Sequence, residues 1–288
     1  AHGGGGGGLY LESGNATLDG NTVSENTSSG CGGGINLDAN AYATLHGNNI
    51  TNNSTTVYGG GVSITYGYPT LSGNTINGNT AIEGGGLYLY WSDATLNGNA
   101  ISNNTAKWEG GGLELMGGAP TLVNNVVADN IVNQTNGLGA GIHVVGSSLH
   151  LLHTTIARNN GGDGSGIYVT ASGSTVAMTN TIIASHIVGI IVTEGNTATL
   201  NATLWHANTT PWDGNVIRAK DHTGDPAFAA DGYHLMARSA AIDKGVDVGV
   251  TTDIDSDTRP IGRPDLGADE WGTLYLHLPI VLRDHATP

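Results

Sequence analysis

The sequence is poor in several residue types on which other folds depend. It has a single cysteine, Cys31, and a single phenylalanine, and only 11% of its residues are charged. One cysteine excludes an intrachain disulfide framework and a thiolate metal cluster. No stretch approaches the roughly 20 consecutive apolar residues with which a helix crosses a bilayer. We therefore expect no membrane span.

Basic residues are also scarce. The chain has 9 Lys and Arg residues against 24 Asp and Glu residues, which gives a net charge of −15. A surface of this sign repels polyanions, so we do not expect nucleic acids or anionic lipids as partners. The excess of carboxylates is compatible with divalent cations, and solubility outside a cell would explain it equally well.

Glycine, asparagine and threonine are abundant instead, with 47 glycines in 288 residues. Gly and Asn are poor helix formers and suit tight corners, whereas Thr, Val, Ile and Tyr suit strands. The composition therefore predicts an all-β fold with many short strands.

A repeat organises these residues. A glycine cluster followed by an aliphatic residue recurs at intervals of 23 to 29 residues. The aliphatic positions are Leu9, Ile35, Val62, Leu87, Leu113, Ile142, Ile167 and Ile190. Side chains alternate along a strand, so these positions point inward and their neighbours, such as Tyr10, Tyr88, Glu114 and Tyr168, point outward. A fixed period of this length is typical of a solenoid.

A second signature lies between the glycine clusters: a leucine, a Val or Ile five residues later, and an asparagine three residues after that. The leucines predict one inward column, a structural stack of Leu18, Leu45, Leu71, Leu96 and Leu122. The asparagines predict a corner ladder of Asn26, Asn53, Asn79, Asn104, Asn130 and Asn159. Asn tolerates left-handed backbone, and stacked amides can bond to one another along the axis. Ligand binding by this asparagine row is the alternative interpretation.

Together the repeats predict a parallel β-helix of about eight or nine coils over residues 1–212. Residues 213–271, richer in Asp, Ala, Arg and Pro, form a C-terminal cap, because an open β-helix end exposes strand edges and apolar core. Residues 272–288 form a short apolar strand and tail.

The coils resemble the right-handed parallel β-helix repeat proteins of bacterial surfaces, such as polymorphic outer-membrane and autotransporter adhesins. The series Asp253-x-Asp255-x-x-x-Arg259-Pro260 and Asp265-x-Gly267-Ala268-x-Glu270 resembles the closing segment of many secreted bacterial β-helix proteins. The run Ser239-Ala240-Ala241-Ile242-Asp243-Lys244-Gly245 resembles another part of that closing segment, although Ala240 stands where the family often has Pro. The resemblance implies an exported bacterial protein at the cell surface or outside the cell, and implies no reaction.

Our main hypothesis is an extracellular structural or adhesive protein that self-associates head to tail or binds a surface glycan. The alternative is a carbohydrate-active β-helix enzyme, a polysaccharide lyase or glycoside hydrolase, or a glycan-binding module. Glycoside hydrolysis needs two positioned carboxylates, but the acidic residues of the coils are scattered. Glu83 and Glu109 stack one coil apart, and we expect them to be solvated. No catalytic residue is assigned.

Two groups of side chains are candidates for ligand contact. Tyr88, Tyr90, Trp91 and Trp108 would offer rings for glycan stacking, or they form an ordinary outward strand surface. His143, His150 and His153 would meet in neighbouring strands and act as metal ligands or a general base, or they are scattered surface imidazoles.

The C-terminal segment offers a metal candidate, and no other cofactor is expected. The carboxylates of Asp253, Asp255 and Asp257 alternate along the chain, and oxygen ligands suit Ca²⁺. Alternatively, these residues form a turn and ion pairs around Arg259 and Arg263.

The tail offers an assembly candidate. Its alternating apolar residues are Leu274, Leu276, Leu278, Ile280 and Leu282. This strand, or the cap as a whole, would dock on the first coil of another subunit, because the repeat begins at once, in residues 3–11, with no N-terminal cap in view. Packing of the same strand on its own cap is the alternative.

Overall fold

The computed structural model describes residues 5–39 and 41–272. Within these residues the chain forms thirty strands, β1 to β30, in three parallel sheets, and no α-helix. No helix of the described residues is long and apolar enough to cross a membrane.

Each sheet takes one strand or strand pair from each coil. The first sheet comprises β1 (Leu9–Leu11), β5 (Ile35–Leu37), β9 (Val62–Gly67), β13 (Leu87–Ser92), β17 (Leu113–Met116), β21 (Ile142–Val145), β25 (Ser165–Thr170), β27 (Val188–Val192) and β29 (Thr210–Gly214). The second sheet has one row of β2 (Thr17–Asp19), β6 (Thr44–His46), β10 (Thr70–Ser72), β14 (Thr95–Asn97), β18 (Thr121–Val123) and β22 (Ser148–Leu152). Its other row is β3 (Thr22–Ser24), β7 (Asn49–Thr51), β11 (Thr75–Asn77), β15 (Ala100–Ser102), β19 (Val126–Ala128) and β23 (Thr155–Ala157), and both rows join β26 (Thr175–Ala184), β28 (Thr197–His206) and β30 (Val216–Thr223). The third sheet comprises β4 (Thr27–Ser28), β8 (Ser54–Thr55), β12 (Thr80–Glu83), β16 (Thr105–Glu109), β20 (Ile131–Val132) and β24 (Asn160–Gly161).

The coils stack in register. Leu18, Leu45, Leu71, Leu96 and Leu122 are successive partners across the second sheet. The first sheet contains nine strands, so the chain makes about eight complete coils. The parallel β-helix predicted from the repeat is confirmed, and its strands continue to Thr223, past the boundary expected at 212.

The interior is a column of aliphatic side chains. Ile35, Val62 and Leu87 stack from the first sheet against Ile50 and Leu71 from the second, and all five are fully buried. Full burial of such a side chain stabilises the fold by about 1.5–3 kcal/mol. Inward residues along the whole solenoid contribute in this way, so the column supplies the main driving force for folding.

The asparagines form a continuous ladder along one corner. The side-chain nitrogen of Asn79 donates to the side-chain oxygen of Asn104 and to the backbone carbonyl of Ile50, at 3.0 and 2.9 Å. Its own side-chain oxygen accepts from the backbone and side-chain nitrogens of Asn53 at 2.9 and 3.0 Å. At the corner, backbone groups have no partner within a sheet. Each interior asparagine forms hydrogen bonds with such buried backbone groups through its side chain.

We predict that Asn79→Ala lowers the free energy of unfolding by about 2–4 kcal/mol, because it leaves the buried groups of Asn53 and Ile50 without their partners. The control is Asn26→Ala at the exposed end of the same ladder, which should cost less than about 1 kcal/mol. Urea denaturation curves measure both values. Equal losses for the two variants would contradict a cooperative ladder.

The two ends of the solenoid differ. On the first coil, Leu9, Leu11, Leu18 and Val23 are only partly buried and line an open depression of about 580 Å³. On the last coils, two aromatic rings cover part of the core, because Trp205 and Trp212 pack together with ring centroids 5.5 Å apart.

A charged pair packs against these two rings. The guanidinium of Arg218 stacks on Trp212 at 3.5 Å and pairs with Asp221, which also accepts a hydrogen bond from the Trp205 indole at 3.3 Å.

The C-terminal segment packs on the side of the solenoid. Its Leu235, Ala241, Leu266 and Ala268 form a second apolar cluster with the outer face of the second sheet. The sheet contributes Val126, Ala128, Ala157, Ile182, Ala184, Ala202 and Leu204. We expected this segment to cover an open end; it covers outward apolar side chains of β19, β23, β26 and β28 instead.

Polar contacts hold the segment in place. Asn180 exchanges two hydrogen bonds with the backbone of Val246, at 2.7 and 2.8 Å. Arg259 is buried, pairs with Glu270 at 3.1 Å and donates to the carbonyl of Gly267 and the side-chain oxygen of Asn124. The spacing of charged residues in this segment therefore reflects structural pairing.

Candidate functional site

The outer face of the first sheet carries a column of polar side chains at its border with the third sheet. Successive coils place Ser63, Tyr88, Glu114, His143 and Tyr168 in register. Strand alternation predicts that Tyr88 and Glu114 point outward into solvent. They do point away from the core, but Tyr88 is buried and Glu114 is 0% exposed.

The glycine corner explains this burial. At Gly84 and Gly110 the backbone has φ of +64° and +61°, and a Cβ at Gly84 would lie 2.4 Å from the carbonyl oxygen of Leu87. The chain therefore turns sharply between the third and first sheets and makes a concave corner. Side chains at the end of the third sheet cover those of the first: the rings of Tyr58 and Tyr88 stack with centroids 4.6 Å apart.

Acidic side chains and an imidazole meet in this corner. We call Glu83, Glu109, Glu114 and His143 the groove cluster. His143 Nδ1 lies 2.8 and 3.0 Å from the two carboxylate oxygens of Glu114, and 3.6 Å from Glu109 Oε2. Glu83 and Glu109 are register partners on neighbouring coils. The expectation that these two acids are solvated holds in part, because both are partly buried beside Glu114 and the Glu109 side chain remains 35% exposed.

Burial and crowding of like charges shift the protonation of these groups. Burial, with the charges of Glu114 and Glu109, raises the pKa of Glu83 to about 7. Burial also raises the pKa of Glu114. Burial works against a charged His143, but the charge and hydrogen bond of Glu114, helped by Glu109, overcome it and raise the pKa of the imidazole. The cluster therefore retains protons at pH values where free carboxyls have lost them.

Close to His143, some polar atoms are buried without a hydrogen-bond partner among the described residues. They include His143 Nε2 and Asp163 Oδ2. Asp163 comes from the next coil, and its charge helps to raise the pKa of His143. His143 is 2% exposed. Its Nδ1 faces the carboxylates, and its other ring nitrogen, Nε2, makes no hydrogen bond.

The other two histidines predicted to join His143 lie elsewhere. His150 and His153 belong to the second sheet and the corner after it. His153 Nε2 lies 2.9 Å from the Asn180 amide, and burial together with the charge of Arg259 lowers its pKa to about 3. His153 is thus a neutral packing residue beneath the C-terminal segment.

A row of aromatic rings, all exposed except the half-buried Tyr90, follows the other border of the first sheet. We call Tyr42, Tyr66, Tyr68, Tyr90 and Trp91 the aromatic row. Tyr42 and Tyr68 stack with centroids 5.7 Å apart and planes 16° apart, and Tyr66 and Tyr90 meet edge to face at 5.6 Å. Trp91 is 58% exposed and Tyr68 55%.

Two members of the row have strained backbone. Tyr66 and Trp91 occupy the same corner of neighbouring coils with φ of +55° and +48°, and the next coil has Gly117 there. A bulky side chain with positive φ is an outlier that costs of order 1–3 kcal/mol and often marks a functional position. The indole of Trp91 lies over Gly117, where a Cβ would come within 2.6 Å of the ring.

The four residues predicted to stack on glycans fall in three places. Tyr88 is buried in the concave corner and its hydroxyl contacts Met116 Sδ at 3.1 Å. Tyr90 and Trp91 lie in the aromatic row, whereas Trp108 lies on the third sheet beside Lys107, whose Nζ is 5.4 Å from the ring. Sequence reasoning missed Tyr42, Tyr66 and Tyr68, although their spacing by one coil was the available signal.

The three carboxylates proposed for Ca²⁺ do not converge. Asp253 Oδ1 accepts the backbone amides of Asp255 and Asp257, both at 2.9 Å, and its Oδ2 accepts that of Glu270 at 3.1 Å. Asp255 turns away toward His234. Arg259 pairs with Glu270, so the residues form a turn but not the expected ion pairs with this arginine.

The assembly strand proposed for Leu274, Leu276, Leu278, Ile280 and Leu282 lies outside the described residues.

Within the C-terminal segment, His234 pairs with two aspartates. Its Nδ1 lies 2.6 Å from Asp231 and its Nε2 2.5 Å from Asp255. Partial burial disfavours the charged ring, but these hydrogen bonds and charges prevail and raise the pKa of His234 to about 9. The ring is therefore a doubly paired imidazolium at neutral pH.

This pairing predicts a pH dependence of stability. The contribution of His234 is fully present below its ordinary pKa of 6.5, where folded and unfolded states are both protonated, and disappears as the pH rises through about 9. His234→Gln should therefore lower the thermal unfolding midpoint at pH 6 by more than at pH 10. The exposed His150→Gln is the control, and a pH-independent loss for His234→Gln would contradict the assignment.

Comparison with known proteins gives the fold family. The model of the family described as "Right handed beta helix region" matches residues 1–106 and 82–204. The chain belongs to this family of right-handed β-helices.

No curated protein matches the chain. Among solved structures it is similar to the one described as "Crystal structure of pectate lyase Pel9A", with 16% identity, 93% of this chain and 89% of that chain covered, and a TM-score of 0.36. A likeness of this size supports no conclusion on function.

Proposed function

We propose that this protein is an exported, adhesive β-helix that binds a glycan on the outer face of its first sheet. The observation that carries the proposal is the aromatic row, which leaves large rings exposed on three successive coils. Clustered exposed aromatic side chains are typical of binding sites, because each ring offers apolar area at low conformational cost. The scaffold holds the rings at fixed positions, so a ligand orders few side chains on binding.

The chemistry of the row favours a sugar over other ligands. Tyrosine and tryptophan combine an apolar face with a polar edge, which suits the mixed surface of a pyranose ring. The net charge of −15 disfavours nucleic acids and anionic membranes. Tyr42, Tyr68 and Trp91 succeed one another along the solenoid axis, so the row suits an extended chain of sugars better than a single ring.

The strain at Tyr66 and Trp91 supports the same proposal. Glycine at these corners would remove the cost, as Gly117 does on the next coil. Retention of bulky rings at a strained position has no evident benefit for folding. Display of the rings to a ligand would explain it.

We predict that Trp91→Ala and Tyr68→Ala each weaken binding to a soluble polysaccharide by about tenfold, or about 1.4 kcal/mol per ring. Affinity electrophoresis in gels containing neutral and acidic polysaccharides would identify the ligand and measure the loss. Tyr10→Ala is the matched control, because Tyr10 is an exposed tyrosine of the same sheet outside the row. Wild-type protein that binds no polysaccharide in the panel, or Trp91→Ala that binds as wild type, would refute the proposal.

A second candidate function is head-to-tail self-association. The observation that favours it is the first coil, where β1, β2, β3 and β4 each pair on one side only among the described residues. Unpaired strand edges above partly buried leucines form a template for another coil. A contact between unlike ends does not close, so it would build a filament.

We predict that the wild-type chain forms concentration-dependent oligomers and that Leu11→Lys, which places a charge in the open depression, makes it monomeric. Size-exclusion chromatography with light scattering and negative-stain imaging would measure the change. Lys220→Glu reverses a charge on the exposed last strand and tests the opposite end. A monomeric wild-type chain at high concentration would count against self-association.

A further inference from the structure

We infer that the groove cluster binds a divalent first-row transition metal ion through His143 Nδ1 and the carboxylates of Glu109 and Glu114. This site is independent of the aromatic row and goes beyond glycan binding. The three ligand atoms lie within 4.8 Å of one another.

The distances fit a shared ion. Ligand atoms bound at 2.0–2.2 Å to one metal lie roughly 3.0–3.5 Å apart in tetrahedral or octahedral geometry. His143 Nδ1 lies 2.8 and 3.0 Å from the two oxygens of Glu114 and 3.6 Å from Glu109 Oε2. The cluster thus needs movements of a few tenths of an ångström to take an ion.

The charge of the cluster also favours a cation. Glu83, Glu109 and Glu114 surround one imidazole, and no Lys or Arg of the described ranges forms an ion pair with any of the three. Buried carboxylates without a compensating charge are costly. A divalent ion would compensate the negative charges of these carboxylates better than the single positive charge of a protonated His143.

The orientation of the His143 ring is the second observation that points to a metal. The imidazole is 2% exposed, and its Nδ1 faces both carboxylate oxygens of Glu114 and Oε2 of Glu109. A histidine ligand coordinates through one ring nitrogen and normally donates its other N–H to a carboxylate or carbonyl. The buried Nε2 of His143 makes no such hydrogen bond. The carboxylate oxygen of Asp163 that is also unpartnered belongs to the next coil and acts electrostatically on this ring.

The ligand set selects the kind of ion. An imidazole nitrogen with two carboxylates suits Zn²⁺, Mn²⁺ or Co²⁺, whereas Ca²⁺ takes oxygen ligands. The Glu109 side chain is 35% exposed and gives the ion a path from solvent. Three protein ligands leave at least one coordination position open on that side.

The second histidine and carboxylate group of the chain is the matched control. His234, Asp255 and Asp269 also lie within 4.8 Å of one another. Both nitrogens of His234 already pair with aspartates, so the ring keeps its proton and has no free nitrogen for a metal.

The test is metal titration of the full chain after removal of metal with EDTA. Mn²⁺ binding followed by electron paramagnetic resonance should show one saturable site with hyperfine coupling from a nitrogen. Glu109→Gln and His143→Gln should each weaken binding by about tenfold or more, and His143→Gln should abolish the nitrogen coupling. His234→Gln should bind as wild type.

Three outcomes would overturn the inference. These are no saturable Mn²⁺, Co²⁺ or Zn²⁺ site in the wild type, unchanged binding by Glu109→Gln, or loss of binding in His234→Gln. Glu109 lies at the rim, so its variant should fold even if substitution of the buried His143 disturbs the coil; circular dichroism checks this point.

Discussion

The structure depends on the stacking of like residues from one coil to the next. A parallel strand satisfies its backbone groups only through neighbours, and here the neighbours are the preceding and following coils. The corners, where the sheets stop, would leave amides and carbonyls buried without partners. The asparagine ladder satisfies those groups, so corner and strand are stabilised by the same register.

The sequence contains enough information to predict this register. The leucine and asparagine spacings place Leu18, Leu45 and Leu71 in one column, and the structure puts them there. The burial of Glu114 and His143 could not be predicted in this way. Alternation along a strand says that they point away from the core, but not that the sharp turn at Gly110 folds the third sheet over them. The aromatic row could have been predicted from the sequence, since Tyr42 and Tyr68 are one coil apart.

The two borders of the first sheet have opposite physical character. At the concave border, Glu83, Glu109, Glu114 and His143 lie in a partly buried corner that raises the pKa of Glu83 and His143. At the other border, rings such as that of Trp91 are exposed to solvent. A ligand lying across the sheet would meet both surfaces, because β13 contributes Tyr88 near one border and Trp91 near the other.

The lateral position of the C-terminal segment has a mechanical consequence. Its contacts reach Asn124, Thr155 and Asn180, which belong to three successive coils. The segment therefore works as a splint across those coils, and tension along the axis must break its contacts together with the strand ladders. Among the described residues, the segment makes no hydrogen bond to the first coils, so under a pulling force the splinted coils should stay folded longer than these.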